Sequence, residues 1–218
     1  MRVKLLMSLP GVDYQVAQAL QAALGDVTRF ASADKAAAYL GLVPSTHQSG
    51  DRCYHGRITK QGRSHARWML VQAAQHLGRH PGPIGVFFRR IARKKNRNVA
   101  VVAAAHKLVV IAWHMLRNNQ PYRYAQPATT QEKFARLRRR TGVKRRGGLP
   151  KGSPRPANYG SGKRTRAVAG LEETYREAGL PALAELRPGE RKMLERHGVA
   201  EFAAQARVSR RVERSSRT

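Results

Sequence analysis

Between Asp51 and Glu132 the chain contains no aspartate or glutamate, and between Glu132 and Glu172 there is again none. Whatever topology this stretch adopts, its middle is a nearly continuous positive field. Over all 218 residues, Lys and Arg total 42 against 13 Asp and Glu, a formal net charge of +29. Self-repulsion makes such a surplus a poor choice for solubility alone, so a polyanionic partner is expected. Nucleic acid leads, with an anionic membrane as the runner-up. The field binds phosphates by counterion release, with strong salt dependence and little sequence preference.

The length suffices for one domain with a real core plus an extension. Cys53 is the only cysteine. An intrachain disulfide and a cysteine-based zinc cluster are therefore excluded, which suits a reducing cytosol. The opening MRVKLLMSLPGV is broken by Pro10 and Gly11 too early for a signal peptide. Val99 to Leu116 nears membrane-span length but contains His106, Lys107 and His114 and is rich in alanine. It reads as a buried helix, and no membrane partner is expected.

Apolar periodicity gives an all-α fold class. A short first helix ends at Leu9-Pro10-Gly11. VDYQVAQALQAALGD follows with Val12, Val16, Ala19, Leu20, Ala23 and Leu24 at helical spacing and Gly25 as its C-terminal cap. Ser32 caps another short helix, with Asp34 near its positive end. Residues 41–63 read as a glycine-punctuated basic loop. Ser64 is placed to cap SHARWMLVQAAQHLGR. His80-Pro81-Gly82-Pro83 then breaks the chain ahead of IGVFFRRIARKK and the apolar Val99–Leu116 helix. Trp68, Trp113, Phe87 and Phe88 are assigned to the core rather than to base stacking. His76 and His80 are four apart with no evident third zinc ligand.

The predicted domains are a compact helical unit at 1–124, a basic arm at 125–166 and a small helical or disordered tail at 167–218. TTQEKFARLRRR in the arm is a basic helix candidate. From Thr141 to Arg166 few core residues occur, and a disordered or nucleic-acid-ordered segment is expected. Its Lys144-Arg145-Arg146 cluster and the preceding Arg138-Arg139-Arg140 suit phosphate contacts. The tail carries Leu171, Tyr175, Leu183, Leu186 and Leu194 at helical spacing and nearly all the glutamates.

Two places suggest chemistry. LMSLPGVDYQVAQAL resembles a helix-hairpin-helix, in which Gly11 would let a DNA phosphate approach the backbone at a helix start. A plain packing corner is the alternative, and Asp13 disfavours an anion there. In 41–63, Gly50, Gly56 and Gly62 allow close approach. Arg52, Arg57, Lys60, Arg63 and Arg67 are positioned in sequence to clamp a phosphate and stabilise a pentavalent transition state. A serine hydroxyl needs a base or a strongly polarised phosphate to act as a nucleophile, and His47 or His55 is of the right class. Taken alone, a serine in such a basic loop is far more often a phosphate ligand or loop filler than a nucleophile, and composition does not lift it above that.

The ordered series LPGVD, AQALQAALGD, RFASADKAAAYLGLVPSTHQSG, ITKQG and ARWMLVQAA resembles the C-terminal domain of bridge-RNA-guided insertion-sequence transposases, over residues 1 to about 124. Such proteins join an N-terminal RuvC-like domain to a C-terminal serine domain. The resemblance implies that Ser49, which precedes Gly50, attacks the scissile phosphate and holds a covalent phosphoserine intermediate. Gly41, Leu42 and Pro44 match the pattern before it; Lys60, Gly62, Arg67 and Leu70 match the pattern after it. Ser45 is the rival but does not precede glycine. The resemblance further implies DNA, a guide RNA and a homo-oligomer. Mg²⁺ is expected only with a RuvC-like partner domain, since this chain supplies no cofactor site and too few carboxylates near Ser49 for two metal ions. The alternative is a truncated remnant that binds nucleic acid without catalysis.

Overall fold

The computed structural model describes residues 1–49, 51–142 and 165–213. Helices dominate, as the periodicity predicts. The N-terminal unit holds α1 (Arg2–Met7), α2 (Tyr14–Leu24), α3 (Ala33–Tyr39), α4 (Ser64–Ala74), α5 (Pro83–Lys94) and α6 (Arg97–Asn118). Next come α7 (Pro127–Arg140), α8 (Leu171–Glu177), α9 (Pro188–Arg196) and α10 (Ala200–Arg207).

Local chemistry sets several of these boundaries. Asp13 accepts the Val16 amide at 3.0 Å and starts α2; Gly25 ends it at φ +58°. Ser32 caps α3 through the Lys35 amide at 3.3 Å, and Asn96 caps α6 through Val99 at 2.8 Å. Each such cap contributes about 1 kcal/mol. Ser64 does not cap α4: it is the first helical residue, Arg63 stands at the cap position, and no side chain bonds there.

The core is organised around α6. Its alanines Ala100, Ala104, Ala105 and Ala112 are fully buried, and their small side chains let α3, α4 and α5 pack closely against it. α6 is long and apolar enough to cross a membrane, yet it is the central packing element here. Trp113 lies in this core and its indole N–H donates to the Val27 carbonyl at 3.2 Å.

The C-terminal elements join the same core. Tyr175 is fully buried, and its hydroxyl donates to the Tyr122 carbonyl at 2.7 Å. Lys4 donates to the Ala178 carbonyl at 3.0 Å. Leu171, Leu180, Leu194, Val199 and Ala203 are buried beside them. Two of the tail's glutamates pair with arginines distant in sequence: Glu172 with Arg207 at 2.8 Å and Glu190 with Arg123 at 2.6 Å.

Two antiparallel ladders depart from a purely helical picture. β1 (Pro44–Ser49) pairs with β2 (Arg52–Ile58), so much of the segment expected as a loop is a hairpin. β3 (Thr165–Val168) pairs with β4 (Arg210–Glu213). Most of the basic arm, including Lys144-Arg145-Arg146, lies outside the described residues.

Candidate nucleic-acid interface

The β1–β2 hairpin rises from a braced base. Thr59 N–H donates to the Val43 carbonyl at 3.0 Å and Lys60 N–H to the Gly41 carbonyl at 3.3 Å. Arg67 donates to the Leu40 carbonyl at 3.0 Å and the Gln61 carbonyl at 3.2 Å. The two chain ends meet so closely that a Cβ on Gly41 would sit 2.1 Å from the Gln61 oxygen. A Cβ on Gly62 would sit 2.1 Å from the Tyr39 oxygen. Both glycines also have positive φ. Their sequence pattern is thus explained by closure of the hairpin base.

Above the base the hairpin is exposed. Its register pairs Ser49 with Arg52, Gln48 with Cys53, His47 with Tyr54 and Thr46 with His55. Only Gly50 and Asp51 separate the last pair. Such a two-residue Gly-Asp connection is a hairpin signal that a reading by glycine content alone passes over. Ser49 and Arg52 are direct cross-strand partners, for which the Cβ separation is about 5 Å. Both are exposed. From Thr46 to Pro44, β1 advances two residues while β2 advances three, from His55 to Ile58. The extra residue is a bulge at Gly56-Arg57, which twists the hairpin.

The two candidate serines differ in setting. Ser45 is half-buried, and its Oγ lies over Gly56, 2.5 Å from where a Cβ would be. Ser49 stands exposed beside the turn. Gly50 and the side chains of His47 and His55 lie outside the described residues.

Not all the expected phosphate clamps are free. Arg52 and Arg57 are exposed on β2. Lys60 is exposed and adopts φ +56° where the chain leaves the hairpin. Arg63 donates to the Tyr39 hydroxyl at 3.0 Å. That bond first, and Arg29 second, hold the Tyr39 phenol below its ordinary value. Arg67 is committed to the two backbone carbonyls already named. Among the described residues, no three His, Cys, Asp or Glu side chains gather as a metal site.

The turn between α1 and α2 has a different character. Gly11, at φ +76°, faces the Ala73 carbonyl of α4, which would lie 2.3 Å from a Cβ. Lys133 of α7 enters the turn and donates to the Met7, Leu9 and Val12 carbonyls, the last two at 2.6 and 3.0 Å. Burial pushes its pKa down to about 7, opposed by Asp13. Three carbonyls nevertheless use all three ammonium N–H groups. Sequence reading misses this lysine; its trace was one cation among Thr130, Phe134 and Leu137 at helical spacing. Nearby His80 is buried, accepts the Gly82 N–H at 3.1 Å through Nδ1, and leaves Nε2 without a partner. Burial, then Lys133 and Arg89, lower its pKa to about 4.

The core assignment of the aromatics divides. Trp113 and Phe88 are buried and Phe87 is half-buried, whereas Trp68 is 57% exposed. Trp68 is a correction to the sequence reading: at its place on α4 the inward positions fall to Ala66, Leu70, Ala73 and Ala74.

Residues 3–87 match the family model described as Transposase IS116/IS110/IS902 family. The chain is similar to the transposase for insertion sequence element IS1111A of Coxiella burnetii, 31% identical over 122 residues, 54% of this chain and 34% of that protein. It is similar to a probable family 20 transposase of Pseudomonas aeruginosa, 29% identical over 126 residues, 56% of this chain and 37% of that one. A pilin gene-inverting protein of Moraxella bovis is 32% identical over 125 residues, 56% of this chain and 38% of its own length. The chain thus spans between a third and two fifths of these relatives. The motif series, the hairpin and the matched segment all fall in the first half of the chain, and over residues 3–87 that half is similar to the IS116/IS110/IS902 transposase family.

Proposed function

We propose that this chain is the serine-bearing, DNA-contacting part of an insertion-sequence recombinase, with Ser49 as nucleophile. The observation that carries the reading is the position of Ser49: exposed, at the last ladder pair before the turn, directly opposite Arg52. An exposed hydroxyl beside the hairpin turn is open to a DNA backbone phosphate, while Ser45 is half-buried against Gly56 of the opposite strand. The relatives' names, insertion-sequence transposases and a pilin gene inverter, support DNA recombination as the setting.

In the reaction, Ser49 Oγ attacks the phosphorus of a phosphodiester. The Oγ–P bond forms as the bond from phosphorus to one deoxyribose oxygen breaks. The Oγ proton passes to a base, with His47 and His55 the hairpin residues of the right class. The departing oxygen takes up a proton. Arg52, with Arg57 and Lys60, stabilises the charge that develops on the non-bridging oxygens. Religation to a new strand reverses these steps. Asp51 is the one carboxylate of the hairpin. The chain's described residues do not fit a two-metal site, and no step is assigned to a metal here. We assign that chemistry to a RuvC-like domain with Mg²⁺, in a multimer that also holds a guide RNA.

The scarcity of carboxylates around Ser49 favours one second reading: a family remnant that binds nucleic acid without cutting it. Trapping separates the two. The full chain, alone and with a RuvC-like domain supplied, is incubated with a nicked suicide duplex and resolved under denaturing conditions. A covalent adduct that disappears in Ser49→Ala is the expected result. Salt-sensitive binding with no adduct in either arm selects the second reading, and an adduct that persists in Ser49→Ala removes Ser49 from the mechanism.

A further inference from the structure

Trp68 lines a groove of about 860 Å³ between α2 and α4 that begins where the hairpin ends, at Gly62 and Arg63. We propose that this groove is a second nucleic-acid contact, which seats one unpaired nucleobase on the Trp68 indole beside the strand held by the hairpin. The proposal rests on the nucleic-acid reading above and adds a site to it.

Three observations carry it. The indole is 57% exposed in a protein whose other tryptophan is buried. Its neighbour His65 lies 6.3 Å away with its ring tilted by only 32°, so the two rings form a shallow aromatic surface. The groove wall supplies amides from Gln15 and Gln18, which donate and accept as base edges require, and its lining contains no carboxylate. Gln18 already uses one N–H on the Tyr14 hydroxyl, at 2.8 Å. Arg63 at the mouth places a cation where an adjoining phosphate would run.

Charge and shape decide the occupant. An acidic peptide would satisfy the cations but has no use for a flat π surface. A base pair inside a duplex has both faces covered by its neighbours and offers an isolated indole nothing to stack on. An unpaired base presents a free face, and one such stack is sequence-tolerant.

Tryptophan emission tests this directly, because Trp113 is sealed in the core and donates to Val27. The full chain is titrated at low salt with single-stranded oligothymidine and with a blunt duplex of the same length, while fluorescence anisotropy of the labelled DNA reports binding. Single strand is expected to quench the exposed indole much more than duplex. Trp68→Ala is expected to lose about tenfold in single-strand affinity, with duplex affinity unchanged and most of the loss restored by Trp68→Phe. Unchanged emission at saturation, or equal weakening on both DNAs, overturns the proposal while leaving nucleic-acid binding intact. An emission change that follows protein concentration without DNA gives the groove to a second copy and also overturns it. Binding to neither DNA defeats the nucleic-acid reading itself, and this site with it.

Discussion

The α1–α2 turn and the β1–β2 hairpin invite the same description from sequence: glycine, nearby cations, close approach of backbone. In three dimensions they are opposites. The turn has its polar groups committed inward. Lys133 serves three of its carbonyls, Asp13 caps α2, and Gly11 faces a carbonyl of α4. The hairpin is braced at its base, through Arg67 and the backbone of residues 59 and 60. Beyond that base, Ser49, Arg52 and Arg57 face solvent. An ammonium whose three N–H groups are all used inside the fold, as at Lys133, is not available for phosphate. The chain's +29 surplus therefore overstates its binding surface at the turn and describes it fairly at the hairpin.

The largest expected effect tests the committed side. Lys133→Met removes a donor from three turn carbonyls, of which that of Leu9 keeps the Val12 N–H, and urea unfolding of the full chain should lose about 3 kcal/mol. DNA affinity of the folded fraction should stay within about twofold, on the order of 0.4 kcal/mol. Lost DNA affinity with unchanged stability would invert the comparison.

Next in size is an acid effect at His80. Its folded pKa is lowered from 6.5 to about 4. The unfolded chain therefore binds the extra proton first, and the stability contribution is complete above about pH 6.5 and lost as pH falls toward 4. The loss is on the order of 2–3 kcal/mol. His80→Asn retains an acceptor for the Gly82 N–H and should flatten the stability profile across that window. An unaltered profile would mean another group carries the acid sensitivity.

The smallest effect belongs to the hairpin. Arg57→Gln should leave unfolding within about 0.5 kcal/mol of the parent. The slope of log affinity against log salt should fall in magnitude by about 1. Because Arg57 is exposed and no partner of its side chain appears among the described residues, a large stability loss would show that the hairpin is not free.

Much of this was legible in the chain. The helices announce themselves by periodicity and by caps such as Ser32 and Gly25, because those signals are local. The family's motif order singles out Ser49 as the candidate nucleophile. The hairpin was only half legible: Gly50-Asp51 was its turn signal, but PSTHQS and RCYHGRI lack the regular apolar alternation that marks a half-buried strand. Trp68 was misassigned because an aromatic on an amphipathic helix is usually turned inward, and only the neighbouring helices fix which stripe is covered.

By itself, then, the sequence determined the helical class and the positive field, since composition and periodicity are properties of the chain alone; Ser49 is a candidate nucleophile through the family resemblance. Tertiary structure decided which cations remain free. Lys133, Arg67 and Arg57 look alike in one dimension, yet they become a buried carbonyl ligand, a hairpin brace and an exposed charge. The physical reason is that a cation's availability depends on which backbone carbonyls come within reach of it. For Lys133 and the turn those acceptors lie more than a hundred residues away, at |i−j| of 121 to 126.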